Sequence, residues 1–70
     1  MNYNYVSSSN LRAVAYDERT QTLGIIFHGN SEYHYYGVPH SVYVGLMNSV
    51  SKGRYHHAAI RNRYRYRKIR

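Results

Sequence analysis

The chain has 70 residues and no cysteine, and it sets 10 Lys and Arg against 3 Asp and Glu for a formal net charge of +7. That length allows one domain with a small core. The missing cysteines exclude a disulfide framework and a cysteine-ligated zinc site, so stability has to come from aromatic burial, for which there are 10 tyrosines and 1 phenylalanine.

Residues 1–9 (MNYNYVSSS) are polar and aperiodic, and read as a flexible N-terminal arm ahead of a single domain spanning 10–70. They carry no Lys or Arg and no apolar stretch of signal-peptide length. The longest nearly apolar run, Val42–Met47, is far short of the ~20 residues of a membrane span. The expectation is a soluble cytoplasmic protein that does not enter a membrane.

Leu11–Tyr16 reads as a strand, and Asp17–Thr22 as a turn cluster rich in hydrogen-bonding side chains. Leu23–His28 is the clearest strand, with Leu23, Ile25 and Phe27 alternating onto one face. Gly29, Asn30 and Ser31 form the next turn, and Glu32–Tyr36 a tyrosine-rich third strand. A two-residue loop would set Phe27 opposite Glu32. A three-residue loop sets Phe27 opposite Tyr33, Ile25 opposite Tyr35 and His28 opposite Glu32, which gives consistent aromatic pairs and is preferred. Tyr33 and Tyr35 then belong to the core face. The other face carries Ala13, Ala15, Gly24, Ile26, His34 and Tyr36, a shallow surface expected to be open to a ligand.

Gly37-Val38-Pro39 breaks the strand, and Pro39 suits the first turn of a helix because its missing N–H costs nothing there. Tyr43, Leu46, Met47 and Val50 recur at helical spacing, which predicts an amphipathic helix over His40–Val50. A second short helix, about Arg54–Asn62, turns Tyr55, Ala59 and Ile60 inward. The last stretch, RNRYRYRKIR, alternates with period 2 and reads as extended. The fold class is therefore α+β: a three-stranded antiparallel meander followed by two short helices on one face, β-β-β-α-α.

Eight of the ten basic residues lie at or after Lys52, and no carboxylate side chain follows Glu32. The basic C-terminal segment 61–70 and the residues before it supply the candidate nucleic-acid contacts: Lys52, Arg54, Arg61, Arg63, Tyr64, Arg65, Tyr66 and Arg67, with Lys68 and Arg70 beyond. Arginine pairs with phosphate in two-pronged fashion, and tyrosine rings offer faces for unpaired bases. His34 and Tyr36 would be the contacts of the open sheet face. Tyr64, Tyr66 and Ile69 have a structural reading too, docked back onto the sheet as core.

Other constellations carry no chemistry. Neighbours on a helix point ~100° apart, so His56 and His57 are not a chelating pair. His28, His34 and His40 show no ligand spacing, and nothing selects two groups for acid–base work. Asp17 and Glu18 fit a turn, and Gly53 after Lys52 lacks a Walker surround. No cofactor, metal or catalytic residue is expected, and the chain is read as no enzyme. The expected partner is RNA or, second, DNA; the alternative is docking on an acidic protein surface, with oligomeric state open.

Ser8-Ser9-Asn10-Leu11, Tyr16-Asp17, Leu23–Phe27, Tyr33-His34-Tyr35-Tyr36-Gly37-Val38-Pro39, Ser51-Lys52-Gly53 and Arg63–Arg67 together resemble the KTSC domain. That small domain is named for its occurrence at the C-terminus of some lysyl-tRNA synthetases and also stands alone. The resemblance runs from about Ser8 to Ile69, and its most specific part is the central Tyr-x-Tyr with the following Gly-Val-Pro. It implies an RNA association, drawn from the synthetase link. Members often have proline between the last two tyrosines, where this chain has Arg65.

Overall fold

The computed structural model describes residues 1–70. Five antiparallel strands lie in the order of the chain: β1 (Asn4–Tyr5), β2 (Leu11–Asp17), β3 (Thr22–Phe27), β4 (Glu32–Tyr35) and β5 (Tyr66–Lys68). Between β4 and β5 come α1 (His40–Asn48) and α2 (Lys52–Tyr55), and α2 runs directly into a π-helical turn, His56–Ile60. The α+β class stands, but the sheet has five strands rather than three.

Both added strands come from segments without a hydrophobic signal. The first nine residues, expected as a loose arm, pair with β2 through Asn4↔Val14 and Tyr5↔Ala13. The tail is extended as its alternation predicts, and β5 pairs with β4: Tyr35↔Tyr66, His34↔Arg67, Tyr33↔Lys68. Flanking backbone bonds prolong that ladder, with Tyr36 N–H donating to the Arg65 carbonyl and Glu32 N–H to that of Arg70, both at 2.9 Å.

The β3–β4 loop has three residues, but they are His28, Gly29 and Asn30, one place earlier than expected. Gly29 and Asn30 take positive φ (96° and 71°), and Phe27 N–H donates to the Ser31 carbonyl at 2.9 Å. Ile25 therefore faces Tyr33 and Leu23 faces Tyr35, a register two residues away from the expected one. A shift of two preserves side-chain parity, so Tyr33 and Tyr35 stay on the face expected for them. His28 does not oppose Glu32; its Nε2 reaches the Ser8 carbonyl at 2.8 Å. In β2 a bulge between Leu11 and Ala13 lets Leu11, Val14 and Tyr16 all face the helices.

Leu11, Val14, Leu23, Ile25, Tyr35, Val38, Leu46 and Ile60 form the core, on the helix-covered face. Gly37, at φ 70°, ends β4 and turns Val38 into that core, where Val38 N–H donates to the Gln21 carbonyl at 2.9 Å. Pro39 stands just outside α1 as its N-cap rather than in its first turn. The helix stops at Asn48, short of the expected Val50, with Ser49 Oγ donating to the Leu46 carbonyl at 2.7 Å; Val50 is left fully exposed. In the second helical segment Ile60 is buried and Tyr55 and Ala59 pack partly, as expected, while the buried His56 was not expected.

The opposite sheet face is not the open platform expected. Ala13 and Ala15 are buried, and Tyr3 lies over Gly24, where any Cβ would meet the Tyr3 hydroxyl and ring. Tyr3 then donates to Glu32 Oε2 at 2.6 Å, and Arg70 Nε to Glu32 Oε1 at 3.0 Å. No helix is long and apolar enough to cross a membrane.

Candidate nucleic-acid interface

On the helix-side face, where β4 and β5 meet the π-helical turn, five aromatic rings close a circuit. Centroid separations run Phe27–Tyr33 5.8 Å, Tyr33–Tyr66 5.8 Å, Tyr66–Tyr35 6.0 Å, Tyr35–His56 5.5 Å and His56–Phe27 5.1 Å. They border a cleft of about 400 Å³, with Ser31, Arg61 and Asn62 completing its lining. A shallow groove lined by residues 61–66 adjoins it and shares Arg61, Asn62 and Tyr66.

The sheet delivers Phe27, Tyr33, Tyr35 and Tyr66 to this face by strand alternation and cross-strand pairing. The helical side depends on the π turn. His56 C=O accepts from Arg61 N–H at 2.9 Å, an i to i+5 bond that widens the turn. An α-helix would carry the fifth residue about 140° around the axis; the wider turn leaves Arg61 nearer the side of His56.

Electrostatically the cleft floor is neutral and its mouth cationic. Burial, with the positive charges of Arg61 and His57 nearby, holds the His56 imidazole down to about 4. Burial, reinforced by Tyr33 and Tyr66, pushes the Tyr35 phenol up to about 12. The two share a buried hydrogen bond of 2.8 Å between Tyr35 Oη and His56 Nε2. No carboxylate lines the cleft or the adjoining groove. Asp17 and Glu18 belong to the end of β2 and its turn, and Glu32 is occupied on the other face.

Of the residues singled out from the sequence, Arg61 and Tyr66 line the cleft, and Arg63, Tyr64 and Arg65 line the groove. Tyr64 also packs against the core, whereas Tyr66 remains 59% exposed. Arg63 Nε donates to the Ala58 carbonyl at 3.3 Å, which braces it along the turn. Lys52 and Arg54 lie apart from the cleft, beside the Ser7–Asn10 segment, and Lys52 Nζ donates to the Ser49 carbonyl at 3.3 Å. Arg67 is the cross-strand partner of His34 on the face covered by the N-terminal segment. His34 Nε2 is 3.4 Å from Glu32 Oε2 without hydrogen-bond geometry. Tyr36 contributes its N–H to the β4–β5 ladder. His34 and Tyr36 therefore do not join the tail residues at the cleft. Phe27, Ser31, His56 and Asn62 were missed as lining residues, and only Ile60 four places after His56 hinted at an inward histidine.

Residues 7–64 match the model of the KTSC domain. The chain belongs to the KTSC domain family. The crystal structure of a KTSC domain protein from Yersinia pestis superposes with a TM-score of 0.95 at 35% identity, covering 99% of this chain and 97% of that one. A protein of Tsukamurella paurometabola is 37% identical over 60 residues, 86% of this chain and 90% of its own length. The lysine–tRNA ligase of Nostoc sp. is 38% identical over 59 residues, which is 84% of this KTSC domain and 10% of the ligase. The chain thus spans about a tenth of the ligases it matches.

Proposed function

We propose that this KTSC domain is a small nucleic-acid-binding module that prefers single-stranded RNA to DNA. The observation carrying this reading is the continuity of the aromatic cleft with the arginine groove: the exposed Tyr66 stands beside Arg61, Arg63 and Arg65, with no carboxylate among the lining residues. Unpaired bases stack on aromatic side chains while guanidinium groups hold the phosphates, a combination suited to single strands. A net charge of +7 adds long-range attraction to any polyanion. Related sequence within lysine–tRNA ligases, enzymes that act on a tRNA, is consistent with an RNA partner.

The test is fluorescence anisotropy with labelled single-stranded RNA, folded tRNA and duplex DNA, from about 50 to 200 mM salt. Single-stranded RNA is expected to bind most tightly and to keep its lead at the higher salt. Removing one phosphate-contacting arginine, as in Arg61→Ala or Arg65→Ala, should lower the slope of log affinity against log salt by roughly 0.7. Equal binding to all three that vanishes with salt defeats the proposal, as does tighter binding to an acidic polypeptide such as polyglutamate. The latter result would support docking on an acidic protein.

A further inference from the structure

We infer that the cleft is a one-nucleotide pocket, in which an unpaired base settles into the aromatic bowl against Tyr66 while the attached phosphate rests on Arg61. This rests on the RNA reading above and narrows it to a single unit of the strand.

Three observations converge. The first is the cleft itself: the five packed rings, with Ser31, Arg61 and Asn62, line a space of about 400 Å³, near the lower end of small-molecule sites. Tyr66 sits directly opposite the buried Tyr35 in the ladder, with its ring tilted against Tyr35 and Tyr33, yet is 59% exposed. Second, three polar residues share the lining with the rings. Arg61 offers a forked donor for phosphate, and Asn62 and Ser31 offer both donors and acceptors for a base edge. A cationic ligand finds no counter-charge, since no lining residue is acidic.

The third observation is the backbone. A π turn is rare and recurs at functional sites. Here it sets His56 in the wall of the bowl and Arg61 at its mouth, with the His56–Arg61 bond closing the turn at 2.9 Å. The neutral state of His56 suits this role, because an uncharged wall accepts a flat, uncharged base.

The experiment compares two RNA octamers with the full chain: eight adenosines, and the same sugar–phosphate backbone with every base removed. The phosphates are identical, so charge alone predicts equal binding. A pocket for one base predicts about 10-fold tighter binding of the intact strand. Tyr66→Ala should abolish that difference and leave the abasic strand's affinity nearly unchanged, while Tyr66→Phe keeps it. Adenosine monophosphate titrated into labelled protein should shift the ring signals of Phe27, Tyr33 and His56, a readout independent of any variant. Equal affinities for the two octamers, or a Tyr66→Ala effect of the same size on both, overturn the pocket and leave charge-driven RNA binding standing. If neither octamer binds, both readings fall.

Discussion

Tyr35 Oη and His56 Nε2 stand 2.8 Å apart inside the molecule, joining the second-last strand to the π-helical turn by a side-chain hydrogen bond. Either group can donate, according to the imidazole tautomer, and it is burial that favours the neutral ring. Folded His56 resists protonation until about pH 4, whereas in the unfolded chain it titrates at its ordinary value of 6.5. Between those values the unfolded chain binds the extra proton, so stability falls as pH is lowered. His56 thus contributes fully above about 6.5, and its contribution declines from there down to about 4. Thermal unfolding should show a falling midpoint across that window, flattened in His56→Gln. Parallel declines in the two proteins would remove the assignment to His56.

Glu32 acts further into acid. Hydrogen bonding from Tyr3, and then from Arg70, holds its carboxyl below the usual carboxylate value of 4.5. Its contribution is present above that value and is lost as pH falls through the lowered folded one. Glu32→Gln should cost about 1–2 kcal/mol and Tyr3→Phe about 0.5–1.5 kcal/mol in urea unfolding at neutral pH. Arg70→Ala should cost less than ~1 kcal/mol, since its guanidinium is largely in water. A Glu32→Gln protein as stable as the parent would show that the clasp adds nothing.

Gly24 makes room for Tyr3. A methyl group there collides with the Tyr3 ring, so Gly24→Ala should displace the N-terminal segment and cost about 1–3 kcal/mol. The two sites should couple: with Tyr3→Ala already in place, Gly24→Ala should cost almost nothing more. A double-mutant cycle by denaturant unfolding measures this, and simple additivity would argue against the collision.

Tyr16 spans two elements. Its hydroxyl donates to the Val38 carbonyl at 2.6 Å, and its ring stacks on Tyr43 at 4.8 Å with planes 7° apart. Tyr16→Phe keeps the stack and strands a carbonyl, for an expected loss of about 1–2 kcal/mol. Tyr16→Leu gives up the stack as well and should fall further on the same denaturation assay. Equal losses would mean that the ring contact is worth little beyond its area.

What could be read beforehand followed from local pattern. Leu23, Ile25 and Phe27 announced a strand with one buried face, and Tyr43, Leu46 and Met47 announced α1. Parity along β4 placed Tyr33 and Tyr35 correctly even though the register was two residues off, because the positive-φ pair at Gly29 and Asn30 centres the turn earlier. What escaped depends on distant partners. Asn4–Tyr5 has no periodicity, and the segment is held down by Tyr3 reaching Glu32, 29 residues away. The π turn has no composition of its own, so His56 read as half of an unproductive pair rather than as part of an aromatic wall. Arg61 and Tyr66 were visible as chemistry, but their meeting at one cleft was not.

The strand order separates the core from the last strand. Each strand lies beside its predecessor, and none of the eight core residues comes from β5. The core is thus complete in sequence at Ile60, before the strand that carries Tyr66. The cleft is completed by β5, which adds Tyr66 to a face that the core residues already define. Tyr66 can therefore change by substitution without reopening the problem of how the domain holds together, whereas Tyr35 on the same cleft cannot.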